Sequence, residues 1–323
     1  MVSQAKTAGR PSMTGFLVRR LLQALAVLAV MSFIVHGLIG LMPGDPIDLM
    51  LSGNPKLTAA DAAHLRALYS LDLPLWQRYL NWLGALFEGD LGYSRLYHQP
   101  VAEVLAPRLG NTLMLMGSSL VLALAVAVPA GVLAARKAGS ALDTAINLAC
   151  FAGISLPPFW LALVLMLLFA VGLGWLPAGG MGGPAHMVLP VATLTLAGIA
   201  GYTRYVRAAM IEALRADHIR TARAKGLSET RVVWRHALPG ALVPVVTIVG
   251  LEFGSLFSGA LITETMFAWQ GMGKLIYDSI MGNDTNVALI ALLLATAMTL
   301  LGNFLADLAY AGLDPRIGFE GEG

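Results

Sequence analysis

Six long apolar stretches, separated by more polar segments, dominate the pattern of this chain. They cover residues 16–41, 112–135, 143–172, 187–206, 240–262 and 287–311. Each has about the length that a helix needs to cross a bilayer, which is roughly 20 residues. The third stretch is the longest, and Pro157 followed by Pro158 predicts a break or kink within it. The pattern therefore predicts an all-α integral membrane protein with six transmembrane helices.

The segment between the first two apolar stretches, residues 42–110, predicts amphipathic helices outside the membrane. Thr58 followed by Asp61 resembles a capping box at the start of one helix. From Leu75 to Phe87, apolar and aromatic residues recur at helical spacing in a stretch too short to span a bilayer. We expect this second helix to lie at the membrane–water interface or on the outer ends of the spanning helices.

The distribution of Lys and Arg predicts the orientation of the six helices. If the N-terminus is cytoplasmic, 15 of the 21 Lys and Arg residues lie on the inner side. Because short cytoplasmic loops carry the excess of positive charge, both termini are predicted to be cytoplasmic. The predicted regions are then a cytoplasmic tail at 1–15, a first transmembrane helix at 16–41, a periplasmic region at 42–110, a core transmembrane domain at 111–311 and a second cytoplasmic tail at 312–323.

Composition agrees with a membrane location. Hydrophobic residues make up 57% of the chain and charged residues 12%, and the mean hydropathy is +0.72, well outside the range of soluble proteins. A formal net charge of +2 is too small to suggest nucleic-acid binding. The lone cysteine, Cys150, cannot form an internal disulfide, so it indicates no redox compartment.

The sequence carries no motif for catalysis or for metal binding. There is no G-x-x-x-x-G-K-[ST] stretch to hold a nucleotide, and neither H-E-x-x-H nor G-x-S-x-G is present. The six histidines are scattered without the paired spacing of metal ligands. We therefore predict no catalytic residues, no metal site and no bound cofactor, and an intramembrane hydrolase is disfavoured.

The most highly charged short loop lies between the fourth and fifth apolar stretches. Helix-favouring residues fill Glu212 to Lys225, and Gly226 can adopt the left-handed conformation that ends a helix. Ser228 is predicted to cap a second short helix from Glu229 to about Ala237, and Pro239 to open the next segment. The loop is thus predicted to be helix, glycine elbow, helix.

Two interpretations of this loop follow from its charge. Its small or apolar positions are Ile219, Ala222 and Ala224, and its predicted hydrated cations are Arg215, Arg220, Arg223, Lys225, Arg231 and Arg235. Such an amphipathic tip can dock into a groove on a soluble partner. Alternatively, the cations only enforce topology and bind anionic lipid head groups.

The loop resembles a known family. RTARAKGLS followed by HALPGALVPVVTIVGLEFG is similar to the cytoplasmic coupling loop, or EAA loop, of permease subunits of binding-protein-dependent ABC importers, in the dipeptide, oligopeptide and nickel branch. The spacing of Ala222, Gly226, Leu238 and Pro239 fits, whereas the motif's Glu is absent and His236 replaces its Ile. Further matches, in chain order, are PGDP at 43–46, GDLG at 89–92, GVLAA at 131–135, ETMFAWQGMG at 264–273 and LDPRI at 313–317.

The resemblance implies a type I ABC importer permease (MetI-like) fold with its coupling loop at residues 207–239. It also implies a bacterial inner membrane location and a set of partners: a second, non-identical permease, two cytoplasmic ATPases that use ATP and Mg, and a periplasmic or lipid-anchored binding protein. The residues it assigns to ATPase coupling are Asp217, Thr221, Ala222, Arg223, Lys225, Gly226, Leu227, Ser228, Arg231 and Arg235.

Two further groups of residues are candidates for the transport path. Glu252 lies near the middle of the fifth stretch, where an isolated carboxylate in lipid is costly, so it is expected to face the path or a polar partner on a neighbouring helix. Ser255 and Ser258 share its segment. By resemblance, an outer gate or binding-protein contact comprises Glu264, Phe267, Trp269, Gly271 and Gly273, although a glycine-rich turn explains the glycines equally well.

The substrate is left open by the sequence. Di- and oligopeptides are the main expectation, with a nickel chelate or a glutathione-like compound as alternatives. Rival functions are a stand-alone secondary transporter or channel, which would transport without partners, and a scaffold that transports nothing. Asp307, near the end of the last stretch, is expected to make a packing or partner contact.

Overall fold

A computed structural model describes residues 13–41 and 73–313; in addition, the side chains of 13–14, 16–17, 251–259 and 309–313 lie outside the description. Across the described ranges the chain is helical, with one isolated antiparallel bridge between Tyr93 and Pro100. The helices are α1 (Met13–Gly40), α2 (Leu75–Phe87), α3 (Val101–Arg136), α4 (Ala141–Ser155), α5 (Pro158–Leu165), α6 (Pro184–Arg215), α7 (Asp217–Ala224), α8 (Glu229–Arg231), α9 (Leu238–Met266), α10 (Met272–Met281) and α11 (Thr285–Leu313). Two π-helical segments, Met166–Gly172 and Val232–Ala237, follow α5 and α8 respectively.

Six membrane crossings are consistent with these helices. Among the described residues, five helices are long and apolar enough to span a bilayer, and the pair α4–α5 supplies a sixth if it counts as one span. That pair is bent by 96° where Pro157 and Pro158 lie. The predicted break in the third apolar stretch is confirmed, because neither proline can donate a backbone hydrogen bond.

Two apolar clusters fix the opposite ends of the bundle. At one end, Val132 of α3 and Val206 of α6 are buried together with residues that follow α6 in the chain. At the other end, Val101 of α3 packs with Leu275 of α10 and Val287 of α11. The long helices α3 and α6 pack against each other between these ends. They therefore connect the two ends of the bundle.

The first and last helices run side by side. The Arg20 Nε atom lies 3.1 Å from Asp307 Oδ2, which confirms that Asp307 makes a packing contact. At the other end of the same pair, Val35 of α1 is buried against Leu289 of α11. The N-terminal end of α1 and the C-terminal end of α11 therefore lie at the same end of the bundle.

Helix α2 has the bounds that the sequence predicts, Leu75–Phe87, and it packs against α1. The Tyr79 hydroxyl lies 2.8 Å from the Ser32 hydroxyl, and the Tyr79 and Trp82 rings flank the ring of His36. The other face of α2 exposes Trp76 and Phe87. This division confirms an amphipathic helix on the ends of the spanning helices. The helix predicted to begin near Thr58 lies outside the described residues.

Candidate functional site

The basic loop contains the end of α6, followed by two short helices, α7 and α8, that meet at a glycine. The predicted single helix from Glu212 to Lys225 is wrong in one respect, because α6 ends at Arg215 and α7 begins at Asp217. Between them Ala216 is extended, with φ of −66° and ψ of 149°. This residue turns the chain so that α7 leaves the axis of α6. We call residues 207–239 the coupling loop.

Gly226 forms the elbow of the coupling loop, as predicted. Its φ is +77°, in the left-handed region, and no atom lies within 4 Å of the position that a Cβ would take. The Gly226 N–H donates to the Arg223 carbonyl at 2.9 Å, and the Leu227 N–H donates to the Ala222 carbonyl at 3.4 Å. These two bonds define a Schellman motif, and Leu227 adds the apolar contact that accompanies it.

An ion pair closes the elbow from outside. Arg223 Nε donates to Glu229 Oε1 at 2.7 Å, and Arg223 Nη2 donates to Glu229 Oε2 at 3.3 Å. The hydrogen bond that Arg223 donates to Glu229 raises the pKa of the guanidinium above its ordinary value. Both side chains are about half exposed, with relative accessibilities of 43% and 54%, so the pair sets the geometry of the elbow more than its stability. Arg223 is exposed, as predicted, and in addition it is paired with Glu229.

The apolar side of the coupling loop faces inward. Ile219 is fully buried and Ala222 is 6% exposed, and both belong to a cluster with Met210, Val232 and Val233. The expectation that Ile219 and Ala222 offer apolar surface to a partner is wrong, because this cluster already uses them to hold α7 against α6 and α9. Ala224, by contrast, is exposed.

The second half of the coupling loop is continuous with the next spanning helix. Ser228 precedes α8, but its side chain makes no capping hydrogen bond, so the predicted cap is wrong. The helix widens into the π-helical segment Val232–Ala237, whose last residue keeps helical angles of −87° and −48°. Pro239 lies in the first turn of α9, as predicted, and the π-helical segment leads into that helix without a break. A displacement of α8 acts directly on α9.

The outward face of the coupling loop is polar and basic. Its exposed coupling candidates are Asp217, Thr221, Arg223, Lys225, Gly226, Ser228, Arg231 and Arg235. Trp234, which the sequence reasoning missed, is 44% exposed among them. A tryptophan flanked by arginines within a helical segment is the signal that could have identified it. The loop thus presents cations and one aromatic ring on a rigid apolar base.

At the opposite end, Glu264 organises the turn between α9 and α10. Its carboxylate is fully buried. Oε1 accepts a hydrogen bond from Thr112 Oγ1 at 2.6 Å, and Oε2 accepts one from the Lys274 N–H at 3.0 Å. A second backbone donor, the Met272 N–H, reaches Thr112 Oγ1 at 2.7 Å. The carboxylate therefore serves the first turn of α10, where negative charge is favourable.

The other outer candidates are buried around this carboxylate. Phe267 is fully buried and Trp269 is 3% exposed, with its Nε1 donating to the Asn111 carbonyl at 3.2 Å. A Cβ on Gly271 would lie 2.0 Å from a Glu264 oxygen, so this position accepts only glycine, and a Cβ on Gly273 would meet the Leu261 backbone. These five residues therefore pack within the chain, and their role in an outer gate or in contact with a binding protein stays a prediction.

The tentative path residues lie on α9. Glu252, Ser255 and Ser258 fall in the helix Leu238–Met266, but their side chains are outside the described residues. Their spacing of three residues places them near one face of that helix. Within the described part of the chain, no group of three or more His, Cys, Asp or Glu side chains could hold a metal ion.

Comparison with known protein families matches almost all of the chain. Residues 127–319 match the family described as "Binding-protein-dependent transport system inner membrane component". Residues 13–116 match the N-terminal component of the same kind of transport system. The first match contains α4 to α11 and the whole coupling loop.

Curated relatives agree along their full length. The chain is 38% identical over 316 residues to the oligopeptide transport system permease protein AppB of Bacillus subtilis, covering 94% of this chain and 99% of the relative. It is 36% identical over 337 residues to the dipeptide transport system permease protein DppB of Escherichia coli K12, with the same coverage. It is 36% identical over 308 residues to the glutathione transport system permease protein GsiC of Escherichia coli O6:H1, covering 95% of this chain and 100% of the relative. The chain therefore belongs to the permease subunits of binding-protein-dependent ABC importers, in the dipeptide, oligopeptide and nickel branch.

Proposed function

We propose that this chain forms half of the path of an ATP-driven importer of di- and oligopeptides in a bacterial inner membrane. A second, non-identical permease would form the other half. Two cytoplasmic ATPases would hydrolyse ATP with Mg, and a periplasmic or lipid-anchored binding protein would deliver the substrate. The names of the oligopeptide and dipeptide relatives support this substrate class.

The observation that carries the proposal is the division of the coupling loop into two faces. Ile219 and Ala222 anchor it on an apolar cluster that includes Val132 of α3 and Val245 of α9. The opposite face is exposed, basic and held in shape by the elbow at Gly226. A loop that served only to bind lipid head groups would not need a rigid apolar base joined to three spanning helices. Such a base suits a surface that transmits force.

In the proposed mechanism, ATP binding closes the ATPase pair and draws the docked coupling loops together. Because α6 enters the loop and α9 leaves it without an unstructured linker, these helices move as rigid segments. The path then changes from inward-facing to outward-facing. Gly226 shapes the elbow, and the exposed arginines position the contact.

The path itself is assigned to α9. We propose that Glu252, with Ser255 and Ser258, faces the path and favours the cationic amino group of a peptide. Replacement by Gln should then lower uptake of peptides that have a free amino terminus more than uptake of N-acetylated peptides. If Glu252→Gln imported both kinds of peptide at the wild-type rate, this role would be excluded.

Reconstitution tests the proposal as a whole. The chain, its second permease and the ATPases are placed in vesicles with the binding protein, and uptake of a dipeptide, an oligopeptide, glutathione and a nickel chelate is compared. We expect peptide uptake that requires ATP and the binding protein. Uptake by the permease alone, driven by an ion gradient, would favour a secondary transporter. Uptake of glutathione alone, or of the nickel chelate alone, would show that the substrate belongs to that class and is not a peptide.

A further inference from the structure

Helix α6 is the spanning element that leads into the coupling loop. It is continuous from Pro184 to Arg215, and one extended residue, Ala216, joins it to α7. Its last turns share the buried cluster with the underside of the loop, through Val206 and Met210. A displacement of the coupling loop therefore acts on this end of α6 first. The side chains that α6 contacts at this end therefore determine which other helices move with it.

Asp143 of α4 is held by this end of α6. Arg207 Nε donates to Asp143 Oδ1 at 2.6 Å, and Arg207 Nη2 donates to Asp143 Oδ2 at 2.7 Å. The Gly139 N–H adds a third donor at 2.9 Å and Asn147 Nδ2 a fourth at 2.8 Å. The two carboxylate oxygens are thus fully used in a bidentate pair, the geometry in which Arg and a carboxylate are most strongly oriented.

The Asp143 carboxylate is also removed from water. The residue is 4% exposed, whereas the Arg207 side chain keeps 27% of its surface exposed. A buried carboxylate whose cationic partner is removed becomes an uncompensated charge, which a protein strongly disfavours. The pair is therefore difficult to separate during a conformational change, in contrast to the exposed pair of Arg223 and Glu229.

The contact continues along both helices. The Arg204 guanidinium lies 4.9 Å from the centre of the Phe151 ring, a cation–π distance. Further along, a Cβ on Gly153 would lie 3.0 Å from Ala200. Positions that increase along α4 meet positions that decrease along α6, so the two helices are antiparallel. We call this contact the α4–α6 seam, with the ion pair at its coupling-loop end.

At its far end, α4 does not continue as a helix into α5. The helix ends at Ser155, and the extended residues Leu156 and Pro157 precede α5. The chain bends by 96° between the two helices. Because the hydrogen-bond ladder is interrupted there, the angle between α4 and α5 can change when α4 moves with α6. Helix α5 packs against the other end of α6, where Ala162 is buried with Leu189.

We propose that the Asp143–Arg207 pair makes α4 move with α6, so that displacement of the coupling loop reaches the bent span α4–α5. Both are positioning residues, because neither lies on the exposed face that would meet an ATPase. The inference rests on the proposed function, since it requires a loop that is moved by ATP hydrolysis. It adds a second route from the loop into the membrane beside the continuous helix α8–α9.

The test uses the complete importer reconstituted in vesicles, with peptide uptake and ATP hydrolysis measured together. Asp143→Asn keeps the volume of the side chain and removes its charge. We expect at least a tenfold lower ratio of peptide imported to ATP hydrolysed, with assembly and basal hydrolysis retained. Lys137→Gln, which removes an exposed charge from the adjoining loop, is the matched control and should keep the wild-type ratio.

A crosslink distinguishes a transmitting contact from one that only stabilises the fold. In a Cys150→Ser background, Asp143→Cys and Arg207→Cys are introduced together, and a short bis-methanethiosulfonate, which forms a disulfide with each thiol and releases methanesulfinate, joins the two helices. Without the reagent, the double-cysteine variant should have a low ratio of peptide imported to ATP hydrolysed. After crosslinking, it should regain most of the wild-type ratio. A purely stabilising contact would restore thermal stability without restoring the ratio.

Three results would overturn the inference. They are a wild-type ratio in Asp143→Asn, a joined cysteine pair that transports no better than the unjoined pair, and inhibition of transport by the crosslink. If Asp143→Asn does not assemble, the cysteine pair alone decides. Absence of ATP-dependent peptide uptake by the wild type would instead contradict the proposed function, so the two failures are distinguishable.

Discussion

The elbow of the coupling loop can be tested by three substitutions at Gly226. Its φ of +77° costs an L-residue about 1–2 kcal/mol, and a β-branched residue is the least tolerant. No atom lies within 4 Å of the added Cβ, so a side chain would meet no steric barrier. Gly226→Val therefore perturbs only the backbone conformation. A penalty of this size changes the population of the native elbow by roughly 5- to 30-fold.

Two further variants separate conformation from charge. Asn tolerates the left-handed region, so Gly226→Asn should keep most of the native elbow. Gly226→Asp has nearly the same shape but adds a negative charge to the basic face. We expect Gly226→Asn to import the most peptide, Gly226→Val less and Gly226→Asp the least. Gly226→Asp should abolish transport and uncouple ATP hydrolysis from it without preventing membrane insertion.

The assay is ATP-dependent peptide uptake by the reconstituted importer, with ATP hydrolysis stimulated by the loaded binding protein as the second readout. Insertion and assembly are checked by copurification of the ATPase subunits. Normal uptake by both Gly226→Val and Gly226→Asp would refute the reasoning, because neither the elbow nor its charge would then matter. Loss of uptake in Gly226→Asn alone would also contradict it.

The hydrogen-bond network around Glu264 and the loop before α3 yield two further predictions. Glu264→Gln should destabilise the purified complex by about 1–3 kcal/mol, because an amide NH2 replaces one of the two buried oxygens that accept hydrogen bonds from Thr112 and from the Lys274 N–H; thermal unfolding checks this against the exposed control Glu88→Gln, and an unchanged midpoint would disprove it. Asp284→Asn should speed hydrogen exchange near Ser94, because the Asp284 carboxylate accepts from the Ser94 hydroxyl at 2.6 Å; exchange at the wild-type rate there would contradict the prediction.

Much of the fold follows from the sequence because hydrophobic length is a strong constraint in a bilayer. Five of the six apolar stretches become helices long enough to span a bilayer, and the third becomes the pair α4–α5, which bends at Pro157 and Pro158 as predicted. Helix α2 also has its predicted bounds, because the pattern from Leu75 to Phe87 is regular and ends at a polar segment. These features depend on local sequence, so neighbouring helices do not alter them.

The coupling loop shows where local reasoning fails. Gly226 was predictable because only a positive φ satisfies a Schellman motif at that point. The burial of Ile219 and Ala222 was not, since it depends on α3 and α9 meeting under the loop.

Sequence reasoning missed the role of Glu264 in the α9–α10 turn and the ion pair of the α4–α6 seam for different reasons. Glu264 sits in a motif that resemblance assigns to a contact, whereas its partner Thr112 lies 152 positions earlier in the chain. Asp143 and Arg207, however, could have been found from the sequence. They are opposite charges at the ends of two neighbouring apolar stretches, 143–172 and 187–206, and the predicted topology places both at the same side of the membrane.

The most direct measurement of the central claim is the reach of single cysteines in cells that contain the assembled importer. In a Cys150→Ser background, Arg231→Cys lies on the exposed face of the coupling loop, and His98→Cys lies at the opposite end of the bundle. We predict that Arg231→Cys crosslinks to an ATPase subunit and is inaccessible to an impermeant maleimide from outside, whereas His98→Cys is labelled from outside. External labelling of Arg231→Cys, without any crosslink to an ATPase, would contradict the account.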